Sequence, residues 1–176
     1  MAILKIARMG HPVLLAKAQA VEDVAAPEIR LLLRDMAETL DDAGGVGLAA
    51  PQVFRSLRLF IYHVPAGRDG GTAVPLTAVF NPVLTPLSDA MELGWEGCLS
   101  IPGLRAAVPR HAHMRLRGLG ADGAEIDRHV SGFEARIIQH ETDHLDGLMY
   151  PMRMKDFRYF GFNEETERFP MELEVL

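Results

Sequence analysis

The segment that most constrains how this chain can fold runs from Ser131 to Gly147. Ser131 stands three residues before Glu134 in the pattern of a capping box, residues 133–145 contain neither Gly nor Pro, and Gly147 supplies a C-terminal stop. A helix is predicted over 133–145. A second is predicted over 27–40, because Pro27 is a favourable first helical residue and Ile29, Leu32, Leu33, Met36 and Leu40 fall three or four apart before Gly44-Gly45. Residues 57–64 and 76–80 read as strands joined by a 65–75 loop containing Arg68-Asp69-Gly70-Gly71, and a further apolar stretch follows Asn81-Pro82. Residues 113–119 and 124–130 flank Asp122-Gly123, a dipeptide suited to a tight turn, and predict an antiparallel hairpin. Residues 1–24 read as an irregular opening segment. The tail from 151 to 176 shows no period, with Phe157, Tyr159, Phe160 and Phe162 expected to cover part of the core. Two helices in a mostly stranded chain predict an α+β fold, and 176 residues suit one domain spanning 1–176.

Charge and cysteine content narrow the functional classes. With 24 Asp plus Glu against 18 Lys plus Arg, the formal charge is -6, which disfavours a nucleic-acid substrate because phosphate binding relies on excess Lys and Arg. A single cysteine cannot form an internal disulfide, and no cationic start with a long apolar stretch or run of about 18 apolar residues is present. The expected setting is a reducing cytoplasm, away from membranes.

Three segments carry chemistry. In His140-Glu141-Thr142-Asp143-His144 two histidines four apart rise about 6 Å and share one helix face, so both imidazoles can reach one metal ion. Glu141 can then address water as a general base without ligating. A catalytic tetrahedral ion needs a third protein ligand and one open position. Cys98, in Glu96-Gly97-Cys98-Leu99-Ser100, can supply it; a small buried hydrophobe and a thiolate nucleophile are the alternatives. Residues 45–52, GVGLAAPQ, lack the pattern of a phosphate loop. Gly45 and Gly47 permit close approach of an extended peptide and Gln52 offers an amide donor for an oxyanion, while a tight helix-to-strand connection packed by small residues is the competing reading.

GVGLAAPQ at 45–52, EGCLS at 96–100 and QHETDHLDG at 139–147, in this order, resemble the signature of the peptide deformylases. Weaker similarity runs from Gly10-His11-Pro12-Val13-Leu14 through Pro102-Gly103-Leu104-Arg105 to Arg153-Met154-Lys155-Asp156. The resemblance implies a bacterial hydrolase that removes the formyl group from the N-terminal formyl-methionine of nascent proteins, with antiparallel sheets surrounding the helix that bears both histidines. It implies Cys98, His140 and His144 as metal ligands, Glu141 as general base and acid for attack by metal-bound hydroxide, and Gln52 with the Leu99 backbone N–H as oxyanion donors. Iron(II) is the ion it implies for bacterial members, with zinc, nickel or cobalt as substitutes. The methionine side chain needs an apolar slot, for which Val46, Leu99, Phe133 and Ile137 are candidates, with Gly47 and Gly97 beside the substrate backbone. Arg105 either holds that backbone or pairs with Glu96, and Arg136 lines the pocket mouth or reaches solvent.

The chain departs from the family where Leu15 replaces a basic residue common after Pro-x-Leu. Ribosome-docking members can use a basic C-terminal helix. Here Lys155, Arg158 and Arg168 are outweighed by Asp156, Glu164, Glu165, Glu167, Glu172 and Glu174, so a transient ribosome contact is left open and a monomer is expected. A metallopeptidase cleaving internal bonds and a catalytically silent relative are the competing functions; Cys98 argues against the first, Glu141 and Gln52 against the second.

Overall fold

A computed structural model describes residues 2–67 and 72–173. Arg68 to Gly71 of the expected loop and Glu174 of the acidic tail lie outside the described residues. The architecture is α+β, with every strand pair in two sheets antiparallel. Helix α1 (Pro27–Asp42) begins at the proline and continues two residues past the expected Leu40, until Gly44 takes φ +62. Strands β1 (Gly47–Ala49), β2 (Leu59–Val64), β3 (Val74–Pro86), β6 (His113–Leu119) and β7 (Glu125–Ser131) form a five-stranded sheet in the order β1-β2-β3-β6-β7. Strands β4 (Met91–Cys98), β5 (Ile101–His111) and β8 (Phe160–Phe162) form the second, in the order β4-β5-β8.

Period-two alternation in β2 explains how the larger sheet is covered. Phe60, Tyr62 and Val64 join Ala135, Ile138 and Leu145 of helix α2 (Gly132–Leu145) in one core cluster, while Leu59 and Ile61 pack with Ile29, Met36 and Leu40 of α1 in another. A third cluster joins Ile101, Ala106 and Val108 of β5 to Leu14, Met149 and Tyr150. Helix α2 touches strands of both sheets, and every residue from Ile137 to Leu145 is buried. No helix among the described residues is long and apolar enough to cross a membrane.

Several expectations need correction. The 76–80 strand extends on both sides and passes through Asn81-Pro82, because Asn81 adopts φ +49 and the pairing with β6 shifts register between Phe80 and Val83. The Asn81 carboxamide stabilises this bulge by accepting from Val21 N at 2.9 Å and donating to Val21 O at 2.9 Å. Strands β4 and β5 are not evident in the sequence pattern because Gly94, Gly97, Gly103 and Pro109 interrupt it. Their hydrogen bonding still has room for Pro109, since β8 pairs with β5 only at Leu104 to Ala106. Ser131 occupies the N-cap of α2 but makes no side-chain cap bond. Glu134 turns instead to side-chain donors, accepting from the Tyr62 phenol at 2.8 Å and from the charged Arg128 Nη2 at 2.5 Å. In the tail Tyr159 is buried and Phe160 packs on the core, but Phe157 and Phe162 are exposed. The tail also folds helix α3 (Asn163–Arg168).

Candidate active site

The β4–β5 hairpin and α2 bring three donors together. Cys98 ends β4, followed by the two-residue turn Leu99-Ser100, and His140 and His144 project from successive turns of α2. One donor atom from each lies within 4.8 Å of the others. Cys98 Sγ is 3.3 Å from His144 Nε2, close to the roughly 3.5 Å between neighbouring ligands expected of a tetrahedral ion with bonds of about 2.0–2.3 Å. The donor chemistry fits a divalent metal: one potential thiolate and two imidazoles converge on one point.

Glu96 sets which nitrogen His140 presents. His140 Nδ1 donates to Glu96 Oε2 at 2.8 Å, leaving Nε2 free to act as ligand, and the ring of Tyr150 stacks beside it at 6.0 Å between centroids. Glu96 also accepts from Arg110 Nε and Nη2, both at 2.9 Å, and from Arg136 Nη1 at 2.9 Å. Arg110 continues to Asp143 at 2.6 Å, and Asp143 accepts from Arg153 at 2.6 Å. Burial favours a neutral Glu96, but the bonds from Arg110 and His140 outweigh it and hold the carboxyl well below its usual range. Burial likewise opposes a charged His140, yet the bonds to Cys98 and Glu96 raise its pKa. His144 is pushed down by burial, and the positive charge of Arg110 adds to this.

Removing one member of this network leaves buried charge uncompensated. Arg110→Met is expected to lower stability by about 3 kcal/mol, the lower end for a broken buried ion pair because Arg136 and Arg153 remain on the two carboxylates. Urea denaturation measures it; a change below about 1 kcal/mol would show that the network contributes little to folding.

Glu141 lies beside the donors but has a different environment. It is buried, its Oε2 has no hydrogen-bond partner, and burial raises its pKa to about 7. Gly47 makes this placement possible: a Cβ there would stand 2.3 Å from Glu141 Oε1. At Gly45 a Cβ would press only on the methyl ends of Leu40 at 2.9 Å and Leu99 at 3.0 Å, a milder constraint that those flexible side chains can relieve. At Gly97 a Cβ would meet only ordinary contact, 3.7 Å from Leu104 O. Gln52 is buried in the 3-10 turn Ala50–Val53, where its Oε1 accepts from Ala49 N at 2.8 Å. That bond directs Nε2 toward Ser100 Oγ at 3.1 Å and Cys98 Sγ at 3.5 Å, placing an amide donor beside the cluster.

A cavity of about 700 Å³ opens over these groups. Gln52, Cys98, Leu99, His140 and Glu141 line it, as do the expected slot residues Val46, Phe133 and Ile137. Gly47, Gly97 and Arg105 complete the set of expected residues on its wall, whereas His144 lies behind the surface. Arg105 does not pair with Glu96, whose oxygens are occupied by Arg110, Arg136 and His140; it meets Glu167 at 3.4 Å. Arg136 lines the cavity and is held by Glu96 and by carbonyls of Glu92, Gly94 and Val108 rather than by solvent. Gly94 has the space for it, since a Cβ there would meet the guanidinium at 2.7 Å.

The sequence assigned Glu96 no role in orienting His140, gave Trp95, Asp143, Arg153 and Glu167 no place at the site, and offered nothing for Arg110 or Asn163. A carboxylate two residues from the metal-binding cysteine was the available signal for Glu96. None existed for α3, which approaches only through the β5–β8 pairing.

Known proteins resemble this chain in sequence and fold. The model for the family described as polypeptide deformylase matches residues 3–159. Peptide deformylase 1 of Nitrosomonas europaea is 49% identical over 165 residues, covering 92% of this chain and 93% of that protein. The Met-Ala-Ser-bound crystal structure of the class I type b peptide deformylase of Acinetobacter baumannii superposes with a TM-score of 0.81 at 33% identity, covering 87% of this chain and 99% of that one. The Thermus thermophilus enzyme gives a TM-score of 0.77 at 40% identity, covering 87% and 86%. With family, fold and a Cys–His–His donor cluster in agreement, the chain belongs to the peptide deformylases, metal-dependent hydrolases that act in N-terminal processing of new proteins.

Proposed function

We propose that residues 1–176 form a single catalytic domain that removes the formyl group from N-terminal formyl-methionine, using one divalent ion held by Cys98, His140 and His144. The convergence of these three donors beside the buried, unpartnered carboxylate of Glu141 carries this reading. Iron(II) is the ion proposed in the cell, and the same donor set accommodates zinc, nickel or cobalt. When bound, the ion supplies Lewis acidity that makes water nucleophilic at neutral pH.

The chain's own groups then divide the work. Glu141 takes the proton from the attacking water and delivers it to the leaving amine, a role suited to a carboxyl whose pKa is raised to about 7. Gln52 Nε2 and the Leu99 backbone N–H donate to the oxygen of the former formyl carbonyl as negative charge develops there. Gln52 requires no large rearrangement, because the Ala49 bond already orients its amide. Glu96 holds the His140 tautomer, while Val46, Leu99, Phe133 and Ile137 receive the methionine side chain. β1 and β4 are both sheet edges flanking the cavity, so Gly47 and Gly97 offer backbone to an extended peptide by strand addition.

The substrate is a nascent formylated chain met transiently at the ribosome by a monomer in the bacterial cytoplasm. Support comes from bacterial relatives, the lone cysteine, and the tripeptide bound by the Acinetobacter enzyme, whose sequence begins with methionine. A hydrogen is the smallest acyl substituent, so a close-fitting donor pocket selects formyl over acetyl. Protein purified anaerobically with metal analysis should release formate from formyl-Met-Ala-Ser and leave acetyl-Met-Ala-Ser intact. Comparable turnover of both would defeat the steric argument, and turnover of neither would defeat the deformylase reading.

A further inference from the structure

The face of the larger sheet turned away from α2 carries polar residues that the proposed reaction does not use. In β6 and β7, Met114, Leu116 and Val130 belong to the core cluster shared with α2. Period-two alternation therefore places His113 and Arg115 of β6 on the other side with Asp127, His129 and Ser131 of β7, and all five are exposed. The register pairs His113 with Ser131 and Arg115 with His129. Arg115 nevertheless reaches diagonally to Asp127, two residues before its direct partner, with Nε 2.7 Å from Oδ1 and Nη2 2.6 Å from Oδ2. His129 likewise stands two residues before Ser131, the direct partner of His113, so the two histidines share the diagonal that Arg115 and Asp127 already bridge.

Both imidazoles open into one hollow. His113 and His129 line a cavity of about 300 Å³ together with Leu87, Ser88, Val130 and Ser131, and among the described residues neither ring hydrogen-bonds to the protein. Diagonal neighbours of an antiparallel pair lie about 7–8 Å apart, with their Cβ atoms somewhat closer. Two rings turned toward each other across that gap can each place a nitrogen about 2.0–2.1 Å from one ion. Arg115, the cation directly opposite His129, is drawn to Asp127, which offsets its charge. The Ser88 and Ser131 hydroxyls can hold water in the remaining coordination positions. Imidazole donors suit zinc, nickel and copper, whereas magnesium and calcium take oxygen.

We propose that His113 and His129 form a second metal site, which holds one divalent transition ion on the face of the larger sheet opposite α2 and ties β6 to β7 where the chain enters that helix. Ser131 is both the direct partner of His113 and the N-cap of α2, so the ion clamps the hairpin at the root of the helix that carries His140 and His144. The site goes beyond the deformylase reading and uses none of its residues. Once one imidazole is bound the other binds intramolecularly, and the pair holds the ion about 100-fold more tightly than either ring alone. An ion that binds the folded chain and not the unfolded one raises stability as its concentration rises.

The test uses untagged, nickel-loaded enzyme, so that added nickel cannot change the identity of the ion at Cys98, His140 and His144. In equilibrium dialysis against nickel chloride, wild type should take up a second ion per chain, and His113→Ala and His129→Ala should each bind it about 100-fold more weakly. Thermal unfolding of wild type, but not of either variant, should shift upward as nickel is raised. Formate release without added nickel should be the same in all three proteins, because neither histidine lines the catalytic cavity. A second ion bound equally well by the variants, or none bound by wild type, would overturn the site. An unfolding temperature that does not respond to the second ion would overturn the clamp.

Discussion

Replacing Glu141 with alanine is expected to lower formate release by about 10²- to 10⁴-fold while metal content stays at the wild-type level. The two effects separate because Glu141 lines the cavity but lies outside the Cys98, His140, His144 donor set. Folding should not suffer. A buried carboxyl whose Oε2 lacks a partner is an unfavourable group to desolvate, so truncating it is expected to leave the unfolding temperature unchanged or raise it slightly. Formate assays, metal analysis and thermal unfolding on the same preparation check all three statements. A fully active variant would remove Glu141 from the proposed mechanism; loss of the metal would make it a ligand rather than a base.

Cys98→Ala should have the larger effect on turnover. Activation of water by a bound ion is worth roughly 12 kcal/mol, judged from the fall of its pKa from 15.7 to about 7, against roughly 3–5 kcal/mol for a positioned base. Without the sulfur, His140 and His144 alone hold the ion, and metal content is expected to fall to that of a chelator-treated sample, with formate release lost along with it. The hairpin should survive, since the β4–β5 pairing from Met91 to Gly97 does not use the thiol. Cobalt-loaded wild type should show sulfur-to-metal charge-transfer absorption that the variant lacks. Retention of that absorption, or of a full complement of ion, would show that Cys98 is not a ligand.

Both predictions concern residues legible in the sequence itself. His140 and His144 needed only the helical repeat to share a face, and Cys98 was the lone thiol in a short Gly-containing segment. The supporting charges were much less legible. Arg110 reaches Glu96 from the neighbouring strand β5, and Arg136 reaches it from α2 past Gly94, where a Cβ would meet its guanidinium. Glycine and proline, which elsewhere marked turns correctly, concealed β4 and β5: Gly94 clears a guanidinium, and Pro109 sits where β5 has no partner on one side. The capping box failed for a related reason, since Tyr62, 72 positions from Glu134, and Arg128 on the adjoining strand β7 outcompete a local backbone N–H.

The sequence by itself determined the elements that depend on local geometry: the helix over 133–145, the turn at Asp122-Gly123, and two imidazoles about 6 Å apart along one face. Tertiary structure alone decided that Cys98 comes within 3.3 Å of His144, 46 positions away, that Gly47 yields its side-chain space to Glu141, and that α3 borders the cavity. Backbone rise and turn chemistry act over a few residues and can be read from spacing, whereas these contacts depend on strand register and close packing, which emerge only when distant segments exclude water together.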